Sequence, residues 1–209
     1  MAARLSNTTQ IAGRLTRDDW NTVKSALTIG GDEDAWAKAF QDFFWQRVNL
    51  RYLEPIKVLH ANGTWEGEGF SIVSIQCALI EFLAAARQGK KYRYLRAGQT
   101  LGPHEYNRSG ELYREFLSTV QPFSASFDAA AAADFYQSVR CALLHEARTH
   151  NGWRLWVSGA APIDAARKIV YREALQDAIS AYVEAYGRDL TTDHALQEAF
   201  IRKFDDLTA

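Results

Sequence analysis

The stretch DFYQSVRCALLHEARTHNGW, residues 134–153, decides how the chain is read. At about 100° per residue, with Arg140 as origin, Gln137, Arg148, Cys141, Asp134 and His145 fall within about 140° of it. Ala142, Phe135, Val139, Leu143 and Tyr136 fill the opposite arc. One side is a core stripe and the other a polar strip bounded by an arginine and a histidine, the pattern of an amphipathic helix. Leu144 is the apolar exception on the polar side. Glu146 is the acidic exception on the apolar side, which suits a fraying helix end or a paired cation. Asp128 and the alanine run lead into this helix, which the pattern extends from about 130 to 149 before the Asn151-Gly152 turn.

Helical signals dominate outward from there. Thr16 followed by Arg17-Asp18-Asp19-Trp20 is a capped start, and Gly30-Gly31 a stop. Asp32 opens a second helix whose Trp36, Ala39, Phe40, Phe43, Phe44 and Val48 recur at spacings of three and four, running towards Pro55. Residues 61–69 hold three glycines and read as a loop. The most apolar helix follows, from Phe70 to Gly89, with Ile72, Ile75, Leu79, Phe82 and Leu83 on one side. Residues 97–110 form a Gly/Pro/Asn-rich loop carrying His104 and Arg108, long enough to suggest a function. Helix resumes near Glu111 and stops before Pro122. Trp153 to Val157 alternates like a strand, and Lys168 to Tyr171 is its expected hairpin partner, unless residues 164–187 are one helix. Two helices, about 172–186 and 192–206, finish the chain. The expected class is all-α with one small β-hairpin near 153–171. Residues 1–35 read as an N-terminal helical appendage and 36–209 as the main helical domain.

Composition narrows the function. The chain has 209 residues, 24 Lys+Arg against 25 Asp+Glu, and 47% hydrophobic residues. That is an ordinary globular balance, so disorder is excluded, and a net charge of −1 excludes nucleic-acid binding by bulk charge. Cys77 and Cys141 sit in apolar helical contexts, as small hydrophobes of a reducing compartment. Residues 1–9 turn polar too soon for a signal-peptide core, and Cys77–Ala86 is broken by Glu81 and half as long as a membrane span. The expectation is a cytoplasmic protein with no membrane partner.

An arginine and a histidine on one strip suit phosphodiester chemistry. The imidazole can take a proton from a 2′-hydroxyl or give one to a leaving oxygen, while a guanidinium grips a phosphate bidentately as charge builds on it. The alternative is that Arg140 and His145 are surface residues or belong to an ion pair with Glu146. Arg, four to six residues, then His is a short pattern, and roughly one chance match is expected in such a chain. Arg188 to His194 also matches but straddles a helix break.

Arg140-Cys-Ala-Leu-Leu-His145, late in a helical domain, resembles the signature of the HEPN superfamily. The surrounding FYQSVRCALLHEARTHNGW and the apolar SIVSIQCALIEFLAAAR resemble a bacterial HEPN branch, and the resemblance covers roughly residues 36–187. It implies a helical bundle forming a homodimer, with two such helices facing each other across a composite cleft. It also implies metal-independent endoribonuclease (hydrolase) activity on RNA, often in toxin–antitoxin or phage-defence settings, with a possible antitoxin or regulatory protein as partner. Arg140 and His145 would be catalytic, with Glu81, Glu146, Arg148 and His150 supporting. Arg140 is then the attractive partner for Glu81, since an unpaired acid in an apolar helix is costly. Active members commonly carry a polar residue directly after the arginine; here it is Cys141. A non-catalytic HEPN-like module that binds RNA or protein is the alternative.

A second feature is Arg87 to Arg96, which packs five basic residues and two tyrosines into ten positions without an acid. Lys90, Lys91, Arg93 and Arg96 would neutralise phosphates while Tyr92 and Tyr94 stack on unpaired bases. The plain alternative is a helix C-terminus favoured by cations, followed by a solvated loop. His145 and His150 are five apart rather than four, which excludes a zincin site, and no phosphate-binding glycine loop is present. No metal and no cofactor is expected.

Overall fold

A computed structural model describes residues 9–64 and 66–209; the polar N-terminus read above lies, but for Thr9, outside the described residues. Among the described residues 62% are helix and 8% strand, with seven helices. By its contacts it divides into two units: one runs through Leu53 and adds Ala85–Asn107 and Val183–Ala209, the other comprises Glu54–Ala84 and Arg108–Tyr182.

In the first unit β1 (Gln10–Ala12) and β2 (Leu15–Thr16) form an antiparallel pair. Its turn needs Gly13, whose φ of 55° is left-handed. Helix α1 (Arg17–Ala26) starts on a capping box: Asp19 N donates to Thr16 Oγ1, and Thr16 N donates back to Asp19 Oδ2 at 2.7 Å. Asp32 caps α2, which runs unbroken over 33–61 and enters the second unit after Leu53. It does not stop at Pro55. The turns Phe40–Trp45 and Asn49–Leu53 are π-helical, and the second lies just upstream of the proline. That wider turn accommodates a ring that would otherwise clash with the carbonyl four residues back.

The core of this unit is aromatic. Trp20 is fully buried, 5.2 Å from Phe43, 5.9 Å from Phe200 and 5.2 Å from Phe204 between ring centroids. Its Nε1 donates to Asp205 Oδ1 at 3.0 Å. The segment expected as an appendage therefore contributes a central ring, and a large aromatic at such a site is worth about 3–5 kcal/mol against alanine. Phe44 stacks on Tyr186 at 4.5 Å. Those partners come from the end of α6 (Arg172–Leu190) and from α7 (His194–Leu207), the latter capped by Asp193.

The second unit is built around α3 (Glu68–Gln88), where Ile72, Val73, Leu79, Ile80 and Leu83 are all completely buried. As a continuous helix α3 is longer than the apolar run read from sequence, and among the described residues it is the one helix long and apolar enough to cross a membrane; 56% of its apolar window is buried in the fold. Around it lie α4 (Ser109–Thr119), a 3₁₀ turn Phe123–Ala125, and α5 (129–146). Phe116 meets Tyr182 edge-on at 4.9 Å and Phe127 meets Phe135 at 5.3 Å.

The hairpin expected between 153–157 and 168–171 is not what forms. Arg154–Trp156 (β5) runs parallel to Ile169–Tyr171 (β7), and Ile163–Asp164 (β6) pairs antiparallel with β7 on its other side. The tight connection belongs to β6 and β7, where Asp164 Oδ1 accepts Arg167 N at 2.9 Å and Lys168 takes a φ of 53°. The chain between β5 and β7 is thus a crossover rather than a turn, as parallel pairing requires. The single-helix alternative over 164–187 also fails, since α6 starts at Arg172.

Candidate active site

Helix α5 carries the Arg-His strip. Asp128 Oδ1 accepts Ala131 N at 2.7 Å and fixes its start. Tyr136–Cys141 is a π-helical turn, a feature common at functional positions. The helix ends at Glu146, earlier than expected, because Ala147 turns left-handed at φ 54°. Thr149 and His150 therefore lie beyond it.

Arg140 is half-buried and held. Its Nη2 donates to Glu81 Oε2 at 2.6 Å, each side chain being 18% exposed, and its guanidinium carbon lies 5.6 Å from the Tyr136 ring centroid. Burial opposes the guanidinium charge, but the Glu81 carboxylate and its hydrogen bond leave the pKa raised. Arg140 is thus a fixed cation. Tyr136 is in turn fixed by a 3.0 Å hydrogen bond between its Oη and Ser109 Oγ, and burial raises its phenol pKa. Beneath the pair, burial pushes the Cys77 thiol up to about 12 and the Tyr113 phenol well above its ordinary value.

Arg140 opens onto a cavity of about 60 Å³ bounded by Ser74, Cys77, Ala78, Leu143 and Leu144. That admits ordered solvent, not a base, since small-molecule pockets run to roughly 300–1,000 Å³. Leu144 is 63% exposed. His145 is exposed in the last turn of α5, and its side chain makes no hydrogen bond or ion pair with a described residue; it does not line the cavity that Arg140 lines.

The other candidates gather on Glu146. Its Oε2 takes Arg148 Nη2 at 2.9 Å and stands 3.2 Å from His150 Nε2. His150 and then Arg148 hold the carboxyl below its ordinary range. Glu146 is therefore paired with Arg148 and His150, not with Arg140 or His145. Asp134 serves architecture. It accepts Ser138 Oγ at 2.6 Å and Trp153 Nε1 at 3.0 Å, tying the helix to the segment after the Asn151-Gly152 turn.

The basic segment is less free than its sequence suggests. Lys91–Tyr92 (β3) pairs parallel with Glu105–Tyr106 (β4), so the long loop contains a strand. Glu105 takes Arg93 Nη1 at 2.8 and 3.1 Å, and Asp206 stands 3.2 Å from Lys91. Gly102 N and then Arg93 lower the Glu105 pKa. Two of the expected phosphate contacts are thus already neutralised. Lys90 and Arg96 form no ion pair among the described residues, and Tyr92 and Tyr94 stay 57% and 76% exposed. Sequence reading missed that the last helix supplies an acid, Asp206, to this run. The adjacent Asp205-Asp206 pair was the available signal.

Among the described residues no group of three or more His, Cys, Asp or Glu is placed to hold a metal ion. No family model, no curated protein and no solved structure matches the chain.

Proposed function

We propose that this protein is a HEPN-like endoribonuclease that cleaves RNA by attack of the substrate's own 2′-oxygen, and that it works as a homodimer. The observation that carries the reading is the Arg140 guanidinium, held charged and oriented by Glu81 on one side and Tyr136 on the other. A fixed cation stabilises the charge that builds on a phosphorane with little reorganisation. His145, exposed five residues on, takes the 2′-hydroxyl proton or protonates the leaving 5′-oxygen. Because the nucleophile belongs to the substrate, no activated water enters this step. The products are a 2′,3′-cyclic phosphate and a 5′-hydroxyl. Arg140 pairs with Glu81 and not with His145, and His145 does not line the cavity that Arg140 lines, which fits a site completed by the facing helix of a second copy. The two free thiols suit work in the cytoplasm.

Two observations favour a second reading, a non-catalytic module that binds RNA or a protein: the residue after Arg140 is Cys141, and Glu81 already occupies part of the guanidinium. Incubation of the purified protein with total RNA in EDTA decides between them. Cleavage with cyclic-phosphate ends, lost in both His145→Ala and Arg140→Ala, supports the enzyme. Loss of a proton-transfer group costs about 10²–10⁴ in rate. Wild-type rates in His145→Ala, or arrest by EDTA, would sink the mechanism; RNA retention without cleavage would establish the module.

A further inference from the structure

A cleft of the first unit has no role in the chemistry above. It encloses about 430 Å³ between the end of α3 with the β3–β4 ladder and the last turns of α7, a volume in the roughly 300–1,000 Å³ range of small-molecule sites. Its charged walls are Lys91, His104, Glu105, Arg202, Asp205 and Asp206.

Hydrogen-bond accounting shows which groups are open to a ligand. All three carboxylates are engaged. Asp205 takes Trp20 Nε1 at 3.0 Å and Lys24 Nζ at 2.6 Å. Asp206 faces Lys91 at 3.2 Å. Glu105 takes Arg93 and, at 2.7 Å, Gly102 N. The donors are not used up. Arg202 Nε is buried and donates to nothing among the described residues, and Nη1 of the same guanidinium makes one long contact, 3.5 Å, to Glu198. The His104 ring has no partner among the described residues, although the His104 carbonyl accepts Lys91 N. The Arg202 side chain is 34% exposed, so its Nη groups, with only that long contact, can donate into the cleft.

The backbone is shaped for that arginine. Gly89 adopts φ 61°, and a Cβ there would stand 2.9 Å from Arg202 Nε and 2.7 Å from the Ala199 carbonyl. Any other residue would close the wall on which the guanidinium rests.

We propose that this cleft binds a phosphomonoester, with Arg202 and His104 donating to the phosphate oxygens and Lys91 bridging it to Asp206 through its remaining N–H groups. A phosphate presents acceptors on several sides, which three donors from two walls can share. The same chemistry is offered by a free nucleoside monophosphate and by the phosphorylated end of an RNA.

Isothermal titration of the full chain with 5′-AMP, inorganic phosphate and adenosine tests the site. The expected result is binding of AMP, competition by phosphate, and adenosine binding at least about tenfold weaker. Arg202→Gln and His104→Ala should each weaken AMP by about tenfold or more, and Arg202→Lys should restore part of it. Arg140→Ala should leave AMP binding unchanged, which separates this proposal from the ribonuclease reading. Competition by an oligonucleotide bearing a 5′-phosphate, but not by its 5′-hydroxyl form, would identify an RNA end as the source; AMP binding without that competition would identify the free nucleotide. His104 lies on an exposed loop, so His104→Ala keeps the test open if Arg202→Gln unfolds. Equal affinity for adenosine and AMP, no detectable AMP binding, or unchanged affinity in both variants would overturn the proposal.

Discussion

Replacing Arg140 with Met, Glu81 with Leu, and both together measures what fixes the candidate active site. The pair meets at 2.6 Å with each side chain 18% exposed. Removing one member of a fully buried pair costs about 3–5 kcal/mol, mostly because the other charge is stranded. With this residual exposure, each single change is expected to cost about 2–4 kcal/mol. For a chain of this size that lowers the melting temperature by roughly 5–10 °C. The double variant strands no charge and keeps apolar volume against Leu143 and Cys77, so it is expected to cost less than the larger single change. The resulting coupling is at least about 2 kcal/mol. Urea unfolding followed by far-ultraviolet circular dichroism gives each value, provided the denaturant slope stays constant. Additivity of the two changes within about 0.5 kcal/mol would refute the claim that Glu81 holds Arg140, and the catalytic argument resting on a pre-fixed cation would go with it.

Three further outcomes are expected. The Cys77 thiol ionises near 9 when unfolded but is pushed up to about 12 in the fold; between those values unfolding releases a proton, so stability falls as pH rises. Urea titrations from pH 8.5 to 10.5 should show a steeper fall in wild type than in Cys77→Ala, and equal slopes would disprove it. In Gly187→Ala, a new Cβ would stand 2.6 Å from Phe40 Cε1. Alanine's helical advantage of about 1 kcal/mol is expected to lose to overpacking of about 1–3 kcal/mol, with Phe40→Leu in that background restoring stability; a stabilised single variant would count against the packing. Asp128→Ala removes the 2.7 Å cap on α5 and should cost about 0.5–2 kcal/mol by urea melt, a neutral result meaning that the cap is idle.

What could be read from sequence was local. Thr16 with Asp19, Asp32 and Asp128 mark helix starts because a cap needs only its own next few residues. The Phe135 and Val139 stripe is buried because periodicity alone identifies a core face. Three things stayed hidden for definite reasons. The wide turns at Phe40–Trp45, Asn49–Leu53 and Tyr136–Cys141 change the register that a uniform period assumes, so the angular place of His145 relative to Arg140 was not fixed by counting. The parallel pairing of β5 with β7 depends on where the chain travels in between, not on either strand's composition. And the acid-free run from Arg87 to Arg96 meets Glu105 and Asp206 only after folding, the latter more than a hundred residues away.

The interrupted make-up of the first unit bears on the order in which the protein can be born. Its last segment, Val183–Ala209, is 27 residues long and is synthesised after every residue of the second unit. At about 5–20 residues per second, the residues of the second unit are complete about 1–5 s before those of the first. During that interval Trp20, Phe43 and Phe44 exist without Phe200 and Phe204, the rings that later enclose them. A nascent chain stalled near residue 182 would present this unfinished aromatic cluster to whatever surrounds it, and a shortened message would leave it that way permanently.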